Sequence, residues 1–377
     1  MTSRAFLLGG GMTRFGHHAD ISAEQLAVSA CVEAIKDSGL ELRDIQAAYF
    51  GHVTQGMTFG ARVLDALGVA GIPVVNVENA CASSSTALHL ACVALAAGQY
   101  ERILVVGAEK MQRGILPLNQ MMDSDLEAMV GVTVPSQSAL YTSRYMSKYD
   151  LSVRDLAAVA VKNRRNAALN DYAQHRTPVT IEEVLASPVI SSPLTRLMCC
   201  PTSDGAAAVV IGTAAEARRG SAPIEIRASV IEGGHLLGVR EGPNTSARAA
   251  RRCFEQAGVA PSDIDVVEAL DYTSMAEIQL YEDFGFCASG GGAALVRNGD
   301  TELTGKVAFS PGGGLLGRGH PLGATGIAQA VEALWQLRGQ AGKRQVAEAK
   351  VALTHAAGGV ITGVDDEAVV TMHLFVT

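Results

Sequence analysis

Three residues combine a reactive side chain with a setting that can use it: Cys81, His320 and His355. Cys81 lies in Asn79-Ala80-Cys81-Ala82-Ser83-Ser84-Ser85-Thr86-Ala87-Leu88. The β-branched run Val74–Val77 before it reads as a buried strand. Ser84 to Ala97 after it reads as a helix apolar on nearly every side, broken by His89, that must be covered on both faces. Cys81 thus falls where a strand ends and a helix begins. A helix start offers unpaired N–H groups and partial positive charge. Both favour thiolate, so a lowered thiol pKa is expected, and the same N–H groups can hold an oxyanion. From this stretch alone, a small buried cysteine filling a gap stays an equal alternative.

His320 closes a loop, Gly312 to Gly326, with seven glycines in fifteen residues. So many glycines imply unusual dihedrals and close approach of another group. His320, between Gly319 and Pro321, reads as a general base or oxyanion donor. His355 stands in Leu353-Thr354-His355-Ala356-Ala357-Gly358-Gly359, at a strand end, where Gly358 could turn an N–H toward a bound carbonyl. One cysteine, two histidines and glycine-rich loops, without metal-ligand spacing, suggest acyl transfer through a thioester on Cys81.

The elements that must position these residues alternate. To about Gly114 the chain reads as strands at Ala5–Gly9, Ala47–Phe50, Val74–Val77 and Ile103–Val106, with helices at Ala23–Asp37 (Ser22 as cap), Ala61–Leu67 and from Ser84. This rhythm predicts a mostly parallel sheet. From about Ile115 the texture changes, and the stretch to Pro193 reads as an inserted lid with helices at Tyr141–Tyr149 and Val153–Asn170. Its basic cluster Lys162-Asn163-Arg164-Arg165-Asn166 is a solvated face or a phosphate contact. The pattern resumes at Ser203 with strands Ala207–Ile211, Ile224–Ile231, Val266–Leu270, Val307–Ser310, Val351–Thr354 and Ala368–Phe375, and helices Ala247–Ala257, Met275–Phe284 and Ala324–Leu337. Strand, reactive residue, long apolar helix, glycine, strand: this order occurs once around Cys81 and again around His320. It predicts an internal duplication whose equivalent turns converge.

At 377 residues the chain calls for two domains or one duplicated domain. With 48% hydrophobic and 18% charged residues it is globular rather than disordered. The net charge of −8 argues against non-specific nucleic-acid binding, leaving room for a local basic pocket. Seven cysteines without Cys-x-x-Cys spacing argue against a zinc site or a disulfide framework and for a reducing compartment. No signal peptide and no run of membrane-spanning length is seen, so a soluble, cytoplasmic protein is expected, without membrane or nucleic-acid partners.

The sequence resembles the thiolases, and within them the sterol-carrier-protein-type branch of bacteria and archaea. The resemblance is carried by Cys81-Ala82-Ser83, Gly107-Ala108-Glu109-Lys110-Met111, Cys200-Pro201-Thr202-Ser203-Asp204-Gly205-Ala206, Gly319-His320-Pro321-Leu322-Gly323-Ala324-Thr325-Gly326 and Leu353-Thr354-His355, in family order. It implies a five-layered αβαβα fold from two βαβαβαββ halves. The halves are expected at 1–118 with 202–221 and at 222–377, with an inserted coenzyme A-binding loop domain at 119–201. It implies Cys81 as the acylated nucleophile and His320 as its activating base, and an oxyanion hole from the N–H groups of Cys81 and Gly358. Lys162, Arg164, Arg165, Ser310, Gly312 and Gly313 are the expected coenzyme A contacts. No permanently bound cofactor is expected, with coenzyme A as co-substrate, in a homodimer open to a small zinc-ribbon/OB-fold accessory subunit.

Two positions depart from the family pattern. The second catalytic cysteine of most thiolases is Ala356 here, and the branch's His-Asp-Cys-Phe reads Leu270-Asp271-Tyr272-Thr273. The missing acid/base then falls to His355, with Tyr272 as competitor because its ordinary pKa of about 10 demands a larger shift. The expected activity is thiolase-type cleavage or formation of a carbon–carbon bond in a 3-oxoacyl-CoA, with a bulky or aromatic acyl group such as one like benzoylsuccinyl-CoA, in lipid or aromatic degradation. The alternatives are a retro-aldolase on a coenzyme A thioester side chain and a non-catalytic acyl-CoA-binding subunit.

Overall fold

The computed structural model describes residues 4–114, 116, 126–217, 222–234, 242–360 and 366–377. The expected domain boundaries at 118/119 and 221/222 fall on or beside residues outside this set. The first half runs β1 (Ala5–Met12), α1 (Ala23–Ser38), β2 (Ala47–Gly51), α2 (Phe59–Leu67), β3 (Val74–Val77), α3 (Ser83–Ala96) and β4 (Arg102–Glu109). Next come α4 (Leu126–Met129), α5 (Val134–Lys148), α6 (Val153–Ala168), α7 (Ile181–Ala186) and the hairpin of β5 (Val189–Ser191) and β6 (Leu194–Thr195). The chain returns through β7 (Gly205–Thr213) and α8 (Ala214–Ala217). The second half runs β8 (Ile224–Gly233), α9 (Thr245–Ala257), β9 (Val266–Glu268), α10 (Ser274–Asp283), α11 (Gly292–Asn298), β10 (Ala308–Phe309), α12 (Gly314–Arg318), α13 (Thr325–Leu337), β11 (Val351–Val360) and β12 (Glu367–Val376).

Ten strands form one sheet in the order β10-β9-β11-β12-β8-β1-β7-β4-β2-β3. Read outward from the middle, β1-β7-β4-β2-β3 and β8-β12-β11-β9-β10 share one plan, strand for strand and direction for direction. The two copies meet where β1 and β8 run antiparallel, Ala5 opposite Ile226. The duplication read from the sequence is therefore present in the strand order. The sheet is mixed rather than mostly parallel, because β7 and β12 each return antiparallel between two strands of their own half. The long β4–β7 connection that carries α4–α7 is the counterpart of the short link between the antiparallel β11 and β12.

Three apolar clusters separate the layers. Leu26, Ala30 and Ala34 of α1 pack with Val63 of α2 on the outside of the first half. Leu88, Ala91 and Leu95 of α3 pack with Ile327, Val331 and Leu334 of α13 between the halves. Ala250 and Cys253 of α9 and Ile278 and Tyr281 of α10 cover the second half. The result is the expected αβαβα stack. Ser22 caps α1 through a reciprocal pair with Gln25, at 3.2 Å and 2.8 Å. Two expectations need correction. The β3 strand is the sheet edge, with Val75 and Asn76 exposed, and α3 leaves one face open at Leu90 and Val93, 38% and 52% exposed. Apolar composition alone does not distinguish a face covered within the chain from one left for a partner.

Candidate active site

Cys81 sits in a tight turn between β3 and α3. Ala80 takes a left-handed conformation, φ 46°, unusual for a residue with a side chain. The turn is held by Ser83, whose Oγ accepts from the Asn79 N–H (2.9 Å) and donates to the Ala80 carbonyl (2.6 Å). Gly358 of β11 passes directly against it: a Cβ there would lie 1.9 Å from the Asn79 carbonyl oxygen. Glycine is required at 358 for the two halves to meet.

The matching turn of the second half delivers His320, whose Nε2 lies 3.3 Å from Cys81 Sγ. Its Nδ1 lies 2.8 Å from Thr325 Oγ1, and that hydroxyl donates its own hydrogen to the Pro321 carbonyl (3.0 Å). Thr325 can therefore only accept from the ring, which fixes the Nδ1–H tautomer and turns the Nε2 lone pair to the thiol. The His320 N–H donates to Ser203 Oγ (3.0 Å), and Ser203 donates in turn to Gln174. The expected low thiol pKa is not found. Burial pushes the Cys81 thiol up to about 12, with the charges of Glu109 and Glu78 adding to it, while burial and Arg318 push His320 down to about 3. The resting pair is neutral thiol and neutral imidazole: a helix start does not outweigh desolvation and two nearby carboxylates.

Glu109, at the end of β4, ties the site together. Its carboxylate accepts from the N–H groups of Val53 (2.9 Å), Thr54 (3.0 Å) and Gly323 (3.0 Å), joining the end of β2 to the glycine-rich turn of the other half. Glu109 was visible in Gly107-Ala108-Glu109-Lys110-Met111, but nothing in the sequence indicated that its partners come from both halves.

His355 is not brought to Cys81. Along β11, Ala352 faces the central cluster, and Gly358 the Asn79 turn, whereas Leu353 and Ala357 face the outer one. His355 shares the outer face. Its Nε2 bonds Ser246 Oγ of α9 (2.9 Å), its Nδ1 faces the Leu270 N–H (3.4 Å) and its ring meets Phe284 edge-on at 5.3 Å. Burial pushes its pKa down to about 3. The period-two alternation of a strand sends residue 355 away from the side that carries 356 and 358. Cys81, Tyr272, Cys199 and Cys200 all pack against the second-half core, and Cys200 lies near enough to Cys81 for a charge there to act on it.

The expected coenzyme A contacts are mostly internal. Lys162 of α6 is buried, ion-paired with Glu277 and donating to the Phe309 carbonyl (2.9 Å). Buried Arg164 donates to the Thr177 carbonyl (3.0 Å). Ser310 donates to Asp271 (2.9 Å), and the Gly312 N–H to Glu268 (2.8 Å), itself paired with Arg318. A Cβ on Gly313 would lie 2.6 Å from Ala167. Burial and Glu277 push the Asp271 carboxyl well above its usual range. These residues dock α6 onto the second half and leave no group to meet a phosphate; only Arg165, paired with Glu302, is at the surface. A basic run on a helix does not reveal which face is buried. A cavity of about 680 Å³ at the seam between the halves, with Lys36, Tyr172, Trp335 and Lys343 in its wall, includes none of Cys81, His320 or Gly358.

Comparison with known proteins matches residues 5–215 to the thiolase N-terminal domain and residues 242–369 to the thiolase C-terminal domain-like family. The chain belongs to the thiolase superfamily. It is 39% identical over 366 residues to an acetyl-CoA acetyltransferase of Methanothermobacter thermautotrophicus, covering 94% of this chain and 96% of that one. It is 35% identical over 368 residues to the benzoylsuccinyl-CoA thiolase subunit BbsB of Thauera aromatica, covering 94% and 95%. Among solved structures, the Ltp2-ChsH2(DUF35) aldolase aligns with a TM-score of 0.86 at 26% identity, covering 99% of this chain and 98% of that one. As a thiolase-superfamily protein with these relatives, the chain is an acyl-CoA acyltransferase of thiolase type.

Proposed function

We propose that this thiolase-superfamily enzyme cleaves or forms the bond between the α- and β-carbons of a 3-oxoacyl-CoA, with the acyl group held on Cys81. The single observation that carries the reading is the 3.3 Å contact between Cys81 Sγ and the lone-pair nitrogen of His320, whose tautomer Thr325 sets. In the cleavage direction His320 Nε2 takes the thiol proton as Sγ attacks the 3-oxo carbon. The N–H groups of Cys81 and Gly358, at the junction of the halves, hold the oxyanion. The carbon–carbon bond then breaks, and coenzyme A releases the acyl group as a new thioester. Coenzyme A is a co-substrate and no cofactor stays bound.

A bulky or aromatic acyl group is favoured by the apolar second-half core against which Cys81 packs, and by the likeness to a benzoylsuccinyl-CoA thiolase subunit. A retro-aldolase reading draws on the likeness to the Ltp2-ChsH2(DUF35) aldolase and on Tyr272, but it gives no work to the Cys81–His320 pair. Acyl transfer predicts exchange of isotopic label between an acyl-CoA and free coenzyme A, lost in Cys81→Ser. A retro-aldolase gives none.

The same reading extends to assembly. Exposed Leu90 and Val93 of α3 lie next to the open edge of β3, which supports a homodimer through this face. The relatives named as a subunit and as a DUF35 complex support a small accessory chain. No helix among the described residues is long and apolar enough to cross a membrane. A cytoplasmic location fits seven free thiols.

A further inference from the structure

We propose that Cys200 is the acid/base that moves the proton at the α-carbon, the task left open by Ala356 and Leu270. The inference rests on the acyl-transfer reading. Residues 199–202 cross the site as an extended connector. Cys199 pairs with Thr273, the Cys200 N–H donates to the Tyr272 carbonyl (2.9 Å), and Thr202 pairs with His320. Cys200 is thereby held between Tyr272 and the histidine that touches Cys81. Its thiol lies close enough to Cys81 and to Asp271 for a charge on either to act on it, and both thiols belong to one packed set beside the second-half core. The other candidates are weaker. His355 spends both ring nitrogens on the opposite face of β11. Leu270 and Ala356 carry no proton.

The steps balance. Cys81 gives its proton to His320 and its sulfur to the 3-oxo carbon. The bond between C2 and C3 breaks, leaving its electron pair on C2 as the thioester enolate. C2 takes the proton of Cys200 Sγ, and the Cys200 thiolate takes the proton of the incoming coenzyme A thiol. That sulfur attacks the Cys81 thioester, and the released Cys81 thiolate recovers its proton from His320. Burial keeps the Cys200 thiol protonated at rest, the state this sequence begins from.

The test is deuterium incorporation at the α-carbon of acetyl-CoA in D2O, read by mass spectrometry. It runs beside acylation of Cys81 by acetyl-CoA and benzoyl-CoA, read as intact mass. Cys200→Ser and Cys200→Ala are compared with Tyr272→Phe, each with a thermal melt to establish folding. Loss of α-exchange by about 10²-fold or more in both Cys200 variants, with Cys81 still acylated, supports the assignment. Exchange within threefold of wild type in either folded Cys200 variant overturns it. So does loss in Tyr272→Phe with the Cys200 variants active, or a wild type that acylates but never exchanges. A wild type that does not acylate at all overturns the acyl-transfer reading itself, and the role of Cys200 with it.

Discussion

The charge state of the Cys81–His320 pair gives the sharpest prediction. The thiol is pushed up to about 12 and the imidazole down to about 3, so across the ordinary pH range neither is ionised. At pH 7.5 the thiolate fraction is about 10⁻⁴·⁵, against about one tenth for an ordinary thiol near 8.5. A more basic thiolate is intrinsically more nucleophilic by about 0.4–0.5 log units per pKa unit, which recovers roughly 1.5 of the 3.5 lost logarithms. Alkylation of Cys81 by iodoacetamide, followed by peptide mass spectrometry, should run about 10²-fold slower than alkylation of an exposed cysteine. Its rate should rise about tenfold per pH unit from pH 7 to 10 without a plateau, because thiolate appears only as pH climbs toward the raised pKa. His320→Ala should leave that slope unchanged while lowering enzymatic acylation by about 10²–10⁴, since the imidazole acts as a base during attack and not as a counter-ion at rest. A plateau of fast alkylation between pH 6 and 8, abolished by His320→Ala, would establish a resting thiolate–imidazolium pair and refute the reasoning.

Four further substitutions separate site from scaffold. Gly358→Ala places a Cβ 1.9 Å from the Asn79 oxygen and should lower stability by about 1–3 kcal/mol with loss of acylation, read by melt and mass. Lys162→Ala strands Glu277 beside Asp271 in the interior and should cost about 3–5 kcal/mol in denaturant titration, whereas Arg165→Ala should cost under about 1 kcal/mol and change the KM for coenzyme A less than twofold. His355→Phe should keep Cys81 acylation. His355 is neutral in the fold down to about pH 3 and protonated near 6.5 when unfolded, so stability is full above 6.5 and falls as pH drops toward 3. The variant should remove up to about 1.4 kcal/mol per pH unit of that slope.

Much of this was legible in the chain. The repeated order of strand, reactive residue and apolar helix predicted that the turns of Cys81 and His320 belong to equivalent places, and the two copies of one strand order carry that pattern. The five layers came from the resemblance to the thiolases; the apolar helices pointed only to burial between sheets. What could not be read is directional. Nothing local told that β7 and β12 return antiparallel, because the partners of a strand are chosen by connections far along the chain. Counting residues from Gly358 gave the identity of position 355 but not its face until the register of β11 was known. The Lys162 cluster looked like a cation patch because the acids that neutralise it, Glu277 and Glu302, lie more than a hundred residues away. Cys200 was visible within the Cys-Pro-Thr-Ser-Asp-Gly stretch, but only the pairing of Cys199 with Thr273 and of Thr202 with His320 lays it across the site.

The central claim is that the acyl group passes through Cys81 under the control of His320. Intact mass spectrometry after rapid mixing with acetyl-CoA and benzoyl-CoA tests it most directly, with the modified peptide sequenced. The account predicts one acyl mass on the wild type, located on Cys81, none on Cys81→Ser, and accumulation slowed by about 10²-fold or more in His320→Ala. Carbon–carbon cleavage that survives Cys81→Ser with no acyl adduct in any variant would contradict it.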